Sequence, residues 1–192
     1  MKKGLFTICA ILFIAASSFG QNDETLFNQF NFRLTGAWGG TIAGASKIGD
    51  NFSPTTGGYG MLEFDKQFLL GWGGFVIDDR VNFGDDTYSY DLDYNGLMIG
   101  YSPQSFRVVH PRVMALVGSG SSRIDGDRDR TPVLQFEGGA EFNIFRWFRV
   151  SANGGYRFLL DIDDVPTGIS SNDLSGIYGE LKFQFGWSWG RQ

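Results

Sequence analysis

The stretch IYGELKFQFGWSW (Ile177–Trp189) decides how this chain is read. Ile177, Gly179, Leu181, Phe183, Phe185, Trp187 and Trp189 fall at alternate positions, with Tyr178, Glu180, Lys182, Gln184 and Ser188 between them. A period of two describes a strand whose faces meet different surroundings, whereas a helix would scatter these residues around its circumference. The rhythm recurs upstream. Leu134, Phe136, Gly138, Ala140, Phe142 and Ile144 oppose Gln135, Glu137, Gly139, Glu141 and Asn143. Phe148, Val150, Ala152, Gly154, Tyr156 and Phe158 oppose Arg149, Ser151, Asn153, Gly155 and Arg157.

Working outward, the pattern predicts eight strands: Phe30–Thr41, Thr56–Phe64, Gln67–Asp78, Tyr88–Tyr101, Phe106–Gly118, Thr131–Asn143, Arg146–Leu160 and Asp173–Trp189. Short connectors at Asp65-Lys66, Ser102–Ser105 and Ile144-Phe145 alternate with long polar ones at Ile42–Thr55, Asp79–Thr87, Ser119–Arg130 and Asp161–Asn172. An even strand count then gathers the short turns at one end and the long loops at the other. That asymmetry, with strands long enough to cross hydrocarbon at a tilt, fits a transmembrane β-barrel with short periplasmic turns. In lipid only closure satisfies the edge strands.

Alternation alone does not say which face points outward. A soluble eight-stranded barrel inverts the pattern and lines a ligand cavity with the apolar face. Three features favour the membrane. Aromatic residues fall where interfacial girdles would sit: Phe30, Phe32, Tyr101, Trp147, Trp187 and Trp189 at one rim, and Trp38, Tyr88 and Tyr90 at the other. The polar face is rich in Gly, Ser and Asn, as a crowded lumen would be. The loops are one-sided.

Composition narrows the function classes. The 192 residues carry Lys+Arg 16 against Asp+Glu 21, so no basic stripe supports a nucleic-acid partner. One His and one Cys exclude most metal clusters and thiol chemistry. Residues 1–20 read as a secretory signal peptide: Lys2 and Lys3, an apolar run from Leu5 to Ala16, small residues at Ser17, Ser18 and Gly20, then Gln21-Asn22-Asp23-Glu24. The apolar run is too short to anchor as a spanning helix. Cys9 lies inside it, so cleavage leaves a cysteine-free exported chain that must hold together without disulfides. The expected organisation is a signal peptide at 1–20, a lead-in at 21–29 and one barrel at 30–192.

Segments such as GWGGFVI (Gly71–Ile77), GGAEFNIF with RWFRVSANGGYRF (Gly138–Phe158) and IYGELKFQFGW (Ile177–Trp187) give the chain its family resemblance. It resembles the small eight-stranded outer-membrane β-barrels, the OmpA-like and OmpX-like transmembrane domains, over essentially all of the mature sequence. The resemblance implies an all-β, antiparallel, up-and-down barrel whose partners are outer-membrane lipids and, during biogenesis, the barrel assembly machinery. Such barrels often end on an aromatic residue, whereas here Gly190-Arg191-Gln192 follow Trp189.

An eight-stranded barrel is just wide enough for its own side chains to fill it. The face assignment places Arg33, Arg112, Arg149, Arg157 and Lys182 inside with Glu63, Asp91, Asp93, Glu137, Glu141 and Glu180. Buried charges demand pairing, so a structural network is expected, with a gated ion conduit as the sharper alternative. His110 precedes Pro111 inside an apparent strand, marking a bulge or strand end. Some lipid-modifying barrel enzymes pair a His with a Ser and a carboxylate, but no serine adjoins His110, which is read as a member of the lumen network rather than a catalytic base. Asp125-Gly126-Asp127-Arg128-Asp129 imitates half a calcium loop, yet Arg130 and Phe136 stand where the later glycine and glutamate belong. No metal, cofactor or catalytic residue is therefore expected. Function is expected in the outer loops, as a structural or adhesive role of a monomer. Acidic pairs Asp78-Asp79, Asp85-Asp86 and Asp163-Asp164 could bridge divalent cations to a surface glycolipid there.

Overall fold

In a computed structural model, described over residues 33–49, 51–83, 86–124, 127–160 and 174–189, eight strands close into one antiparallel up-and-down barrel. They are β1 (Leu34–Ile48), β2 (Asn51–Phe64), β3 (Phe68–Phe83), β4 (Asp86–Tyr101), β5 (Val109–Ile124), β6 (Asp127–Phe145), β7 (Phe148–Leu159) and β8 (Gly176–Ser188). Each strand pairs with the next, and β8 returns to β1 through a register from Gly36↔Ser188 to Ser46↔Tyr178. Closure leaves no unpaired edge. The expected leader and lead-in, together with Phe30 and Phe32, lie outside the described residues. No described helix is long and apolar enough to cross a membrane.

The ends of the barrel differ as the connectors foretell. At the turn end, Asp65 (φ 49°) and Lys66 (φ 58°) form a tight reversal between β2 and β3. Two successive positive φ values match the right-handed twist of the flanking strands. The Asp65 amide donates to the Arg33 carbonyl at 2.9 Å, and the Arg33 amide donates to Asp65 Oδ1 at 3.3 Å. The longer β4–β5 turn is pinned from outside itself. Ser105 Oγ donates to the Lys66 carbonyl, and Asn143 Nδ2 donates to the carbonyls of Ser105 (2.7 Å) and Arg107 (2.6 Å).

At the opposite end, three of the four segments expected as long loops are instead continuations of the wall. β1 and β2 remain paired to Ile48↔Asn51, β3 and β4 to Phe83↔Asp86, and β5 and β6 to Ile124↔Asp127. Gly, Ser, Pro and Asp in these segments suggest loops, but the pairing carries them as hairpins. The fourth, Asp161–Asn172, lies outside the described residues. At the other end β5 begins at Val109, not Phe106. Pro111 pairs with Ala140 on β6, while β4 joins β5 only from Tyr101↔Val113. The proline therefore stands where its strand has one neighbour, and no register shift occurs there.

The polarity of the outward face changes along the barrel. Through the belt next to the turn end, the outward rows are apolar: Leu70 and Trp72 on β3, Leu97, Ile99 and Tyr101 on β4, Phe136 and Phe142 on β6, and Leu181, Phe183 and Phe185 on β8 are all exposed. This settles the open choice on β3, where Leu70 faces out and Leu69 in. Further along β4 the rule inverts. Asp93 faces out and Asp91 stands partly exposed, while Tyr90, Leu92 and Tyr94 turn inward and are buried. The hairpin half of the barrel thus carries its apolar side chains inside, as a protein wall in water does. With Ile42, Ile48, Phe75, Ile77, Val133, Leu159 and Leu174 they form a buried apolar cluster.

Candidate functional site

The inward side chains near the turn end form the site that the sequence points to. Glu141 on β6 lies at its centre and is fully buried. Arg112 Nη1 on β5 donates to Glu141 Oε2, and Arg149 Nη1 on β7 donates to Glu141 Oε1 at 3.1 Å. Gln184 Nε2 on β8 adds a bond of 2.9 Å to Glu141 Oε2. His110 is held at both ring nitrogens, Nε2 lying 3.1 Å from Glu141 Oε1 and Nδ1 3.1 Å from the Arg107 carbonyl. Four strands thus converge on one carboxylate.

Arg149 links this centre to a second acid. The same Nη1 lies 3.2 Å from Glu63 Oε2 on β2, and Nη2 donates to Ser188 Oγ at 3.1 Å. Ser188 Oγ donates to Glu63 Oε1 at 2.5 Å, and Trp38 Nε1 donates to Glu63 Oε2 at 3.2 Å. The Arg149 guanidinium lies 3.7 Å from the centroid of the Trp38 ring. A desolvated cation over an indole face gains attraction without competing for the hydrogen-bond acceptors. Every charge in this layer has a partner, which is the condition for burying it at all.

A second cluster sits beside it. Lys182 Nζ on β8 pairs with Glu137 Oε1 on β6 and lies 2.9 Å from Glu180 Oε1. Tyr178 OH donates to Glu137 Oε2 at 3.1 Å. Toward the hairpin end, Arg157 on β7 is buried, and its Nη1 donates to Ser46 Oγ at 3.2 Å. Nearby, Tyr94 OH donates to Gln135 Oε1 at 2.9 Å.

Of the residues expected in the lumen, Glu63, His110, Arg112, Glu137, Glu141, Arg149, Arg157, Glu180 and Lys182 are buried inside the barrel. Three are not. Arg33 precedes β1 and is exposed at the turn end, where its backbone rather than its side chain makes the bonds to Asp65. Asp91 and Asp93 stand on the same outward row of β4 as Leu97, Ile99 and Tyr101, beyond the point where that row turns from apolar to polar. Asp91 pairs with Arg123 there at 3.3 Å, both side chains being substantially exposed. Two girdle assignments are corrected for the same reason of facing. Trp38 alternates with Gly36, Gly40 and Ile42 on the inward face of β1 and is buried over Arg149, near the turn end rather than the opposite rim. Tyr90 is buried in the hairpin-end cluster.

Tyr101, Trp147, Trp187 and Trp189 face outward near the turn end. Trp147 stacks with Phe145 at 5.6 Å and Phe185 at 6.1 Å, extending the aromatic patch beyond the residues singled out from the sequence. The side chains of Tyr88 and of Asp127–Asp129, whose backbone opens β6, are not among those described, and Asp125 and Gly126 lie outside the described residues. Sequence reading also passes over Trp38, Gln184 and Ser188 as network members. Gln184 and Ser188 carry a signal, sharing the polar row of Lys182; Trp38 carries none, because an apolar side chain is assigned outward by default. Among the described residues, no group of three or more His, Cys, Asp or Glu side chains is placed to hold a metal ion.

Solved structures share this architecture. The N-terminal β-barrel domain of Pseudomonas aeruginosa OprF superposes with a TM-score of 0.59 at 12% identity, covering 80% of this chain and 98% of that one. The fold is that of a small outer-membrane barrel. Neisserial surface protein A matches with a TM-score of 0.51 at 11% identity over 80% of this chain and 96% of its own. The attachment invasion locus protein Ail of Yersinia pestis, in complex with the heparin analogue sucrose octasulfate, matches with a TM-score of 0.50 at 13% identity, covering 80% and 97%. No protein-family model and no curated protein matches the sequence. At these identities the likeness carries the fold of the barrel and no residue roles.

Proposed function

We propose that this chain is an exported outer-membrane barrel whose lumen is closed by its own side chains and whose outer hairpins carry a structural or adhesive role. The supporting observation is the change of polarity along the outward row of β4. Tyr101, Ile99 and Leu97 are exposed on the outside of the belt, and two steps further Asp93 takes the same outward position. A soluble ligand-binding barrel would keep its apolar face inward along the whole strand. A belt of exposed Leu, Phe and Trp bounded by charge is instead what a slab of hydrocarbon requires. In this reading the turn end is periplasmic, outer-membrane lipids surround the belt, and the barrel inserts as a monomer through the assembly machinery.

The lumen reads as filling, not as a pore. The turn-end charges are cross-linked by β1, β2, β5, β6, β7 and β8, and the hairpin end is packed with Tyr90, Leu92, Phe75 and Leu159. The same geometry argues against His110 as a base, since both of its nitrogens are engaged by Arg107 and Glu141. What remains for recognition is the outside of the hairpins, where Asp78, Asp93, Arg123 and Arg130 stand exposed. An extracellular ligand or a surface glycolipid is the class of partner such mixed charge suits.

The test joins localisation to one substitution. Membranes are separated from the aqueous fraction, and the protein is run unheated and boiled on a detergent gel. Recovery in the outer membrane with a mobility shift on boiling is expected. Leu181→Arg, in the exposed row of β8, should then cost about 2–4 kcal/mol of stability in lipid. A protein that stays in the aqueous fraction and tolerates Leu181→Arg would overturn the proposal.

A further inference from the structure

Three of the four buried lumen cations rest on carboxylates: Arg112 on Glu141, Arg149 on Glu141 and Glu63, and Lys182 on Glu137 and Glu180. Arg157 is the fourth, and among the described residues no carboxylate forms an ion pair with it. Its relative exposure is 1%, yet its partners are neutral hydroxyls, Ser46 Oγ at 3.2 Å and that of Tyr94, and Nε and Nη2 are buried without a hydrogen-bond partner. The Tyr94 ring, 5.5 Å from its Cζ, offers a π-face but no negative charge. An isolated buried guanidinium cannot shed its proton, so it needs an anion beside it.

The surroundings of Arg157 supply further donors. Ser46 stands opposite Ser53 across β1 and β2, and Leu92 opposite Ser122 across β4 and β5, all in the hairpin half of the barrel. The hydroxyl of Ser53 is buried there without a partner, those of Tyr90 and Ser122 have no partner but each other, and two guanidinium nitrogens stay free. Ile48, Ile77, Leu92, Leu159 and Leu174, almost wholly inaccessible, enclose this end of the lumen. Such an enclosure admits only a small species, and one unmatched cation calls for a single negative charge. We propose that the hairpin-end chamber of the lumen binds one small monovalent inorganic anion, of halide size, on the Nε and Nη2 edge of Arg157. The anion acts as the counter-ion that lets a guanidinium reside in an apolar layer. This inference does not depend on the adhesive role or on the identity of the surrounding membrane.

The test is the chloride dependence of unfolding of the purified full-length protein in detergent, at fixed pH and ionic strength, with gluconate replacing chloride. A ligand that binds only the folded state raises the folded-to-unfolded ratio about elevenfold at ten times its Kd, and the effect saturates. Saturable stabilisation by chloride is expected in the unaltered protein and in Arg123→Gln, which alters an exposed arginine, and should vanish in Arg157→Gln. Equal stability in chloride and gluconate, or an undiminished chloride effect in Arg157→Gln, would overturn the proposal. If Arg157→Gln fails to fold, bromide-soaked crystals of the unaltered protein decide. An anomalous peak in hydrogen-bond contact with the Arg157 guanidinium supports the site; a carboxylate of the chain in that place refutes it.

Discussion

The two halves of the lumen handle buried charge in opposite ways. Near the turn end, Glu141 gathers Arg112, Arg149, Gln184 and His110, and among the described lumen residues there every carboxylate and guanidinium has an opposite charge. At the hairpin end Arg157, the one buried arginine there among the described residues, sits among Tyr90, Tyr94, Leu159 and Leu174 with a serine for company. The first half resembles a cross-linked polar plug, the second a small apolar core with one charge left in it. The division follows the outside of the barrel. On the proposed membrane reading, polar side chains must go inside and pair with each other where the wall faces hydrocarbon; where it faces water, the apolar ones go inside and the polar ones leave.

The largest effect should come from breaking the paired half. Glu141→Ala removes the carboxylate shared by Arg112 and Arg149 and leaves Arg112 buried without an opposite charge. A loss of about 3–5 kcal/mol is expected, read from urea unfolding of the barrel refolded into lipid vesicles. Asp91→Ala on the outside provides the counterweight. Its partner Arg123 is 46% exposed, so the change should stay within about 1 kcal/mol. Comparable losses at the two positions would mean that burial is not what makes the turn-end network costly to disturb.

A smaller effect separates the faces of the wall itself. Gly138 and Gly139 are adjacent on β6, but a methyl group on Gly138 would meet nothing closer than Val113 Cγ1 at 3.8 Å, whereas on Gly139 it would be driven into the Ala152 carbonyl and the Asn153 side chain. Backbone cannot step aside as a flexible side chain can. Gly139→Ala should therefore cost about 1–3 kcal/mol, while Gly138→Ala should be neutral or stabilise by about 0.5 kcal/mol, as judged by the same unfolding titration. The pair Gly154 and Gly155 on β7 repeats the contrast, the inward member again meeting a neighbouring strand's backbone.

These cases show what the sequence makes legible. The closing strand reads correctly residue by residue, because Ile177–Trp187 lies wholly within one regime of facing: apolar out, polar in. The same rule carried along β4 puts Asp91 and Asp93 inside, since alternation reports that two faces differ and is blind to where the hydrocarbon stops. Trp38 is misplaced by the complementary default, its indole being used inside as a π-face and a donor for Glu63. The extended hairpins escape notice because Gly44, Ser46, Gly49 and Pro54 are turn-forming residues, and only cross-strand pairing shows that most of them stand in strands. The glycine pairs hold one residue of each kind, which no one-dimensional pattern distinguishes.

The smallest expected change is also the sharpest test of the division. Arg112 and Arg157 are both essentially inaccessible, so burial alone predicts that removing either guanidinium should hurt equally. Their partners predict otherwise. Arg112→Met strands part of the charge on Glu141 and loses the bond to Gln184 Oε1 at 2.5 Å, so it should destabilise by several kcal/mol, about 3 or more. Arg157→Met strands no carboxylate among the described residues and gives up only neutral hydroxyl partners, while an apolar side chain suits Tyr94 and Leu159 better than a charge does. Measured in gluconate, where no small anion can serve as counter-ion, Arg157→Met should be neutral or slightly stabilising, and the balance should move back toward the arginine as chloride is added. A loss at Arg157 that matches Arg112 and ignores the anion would show that the hairpin half has its own internal counter-charge, and the contrast between the halves would fall.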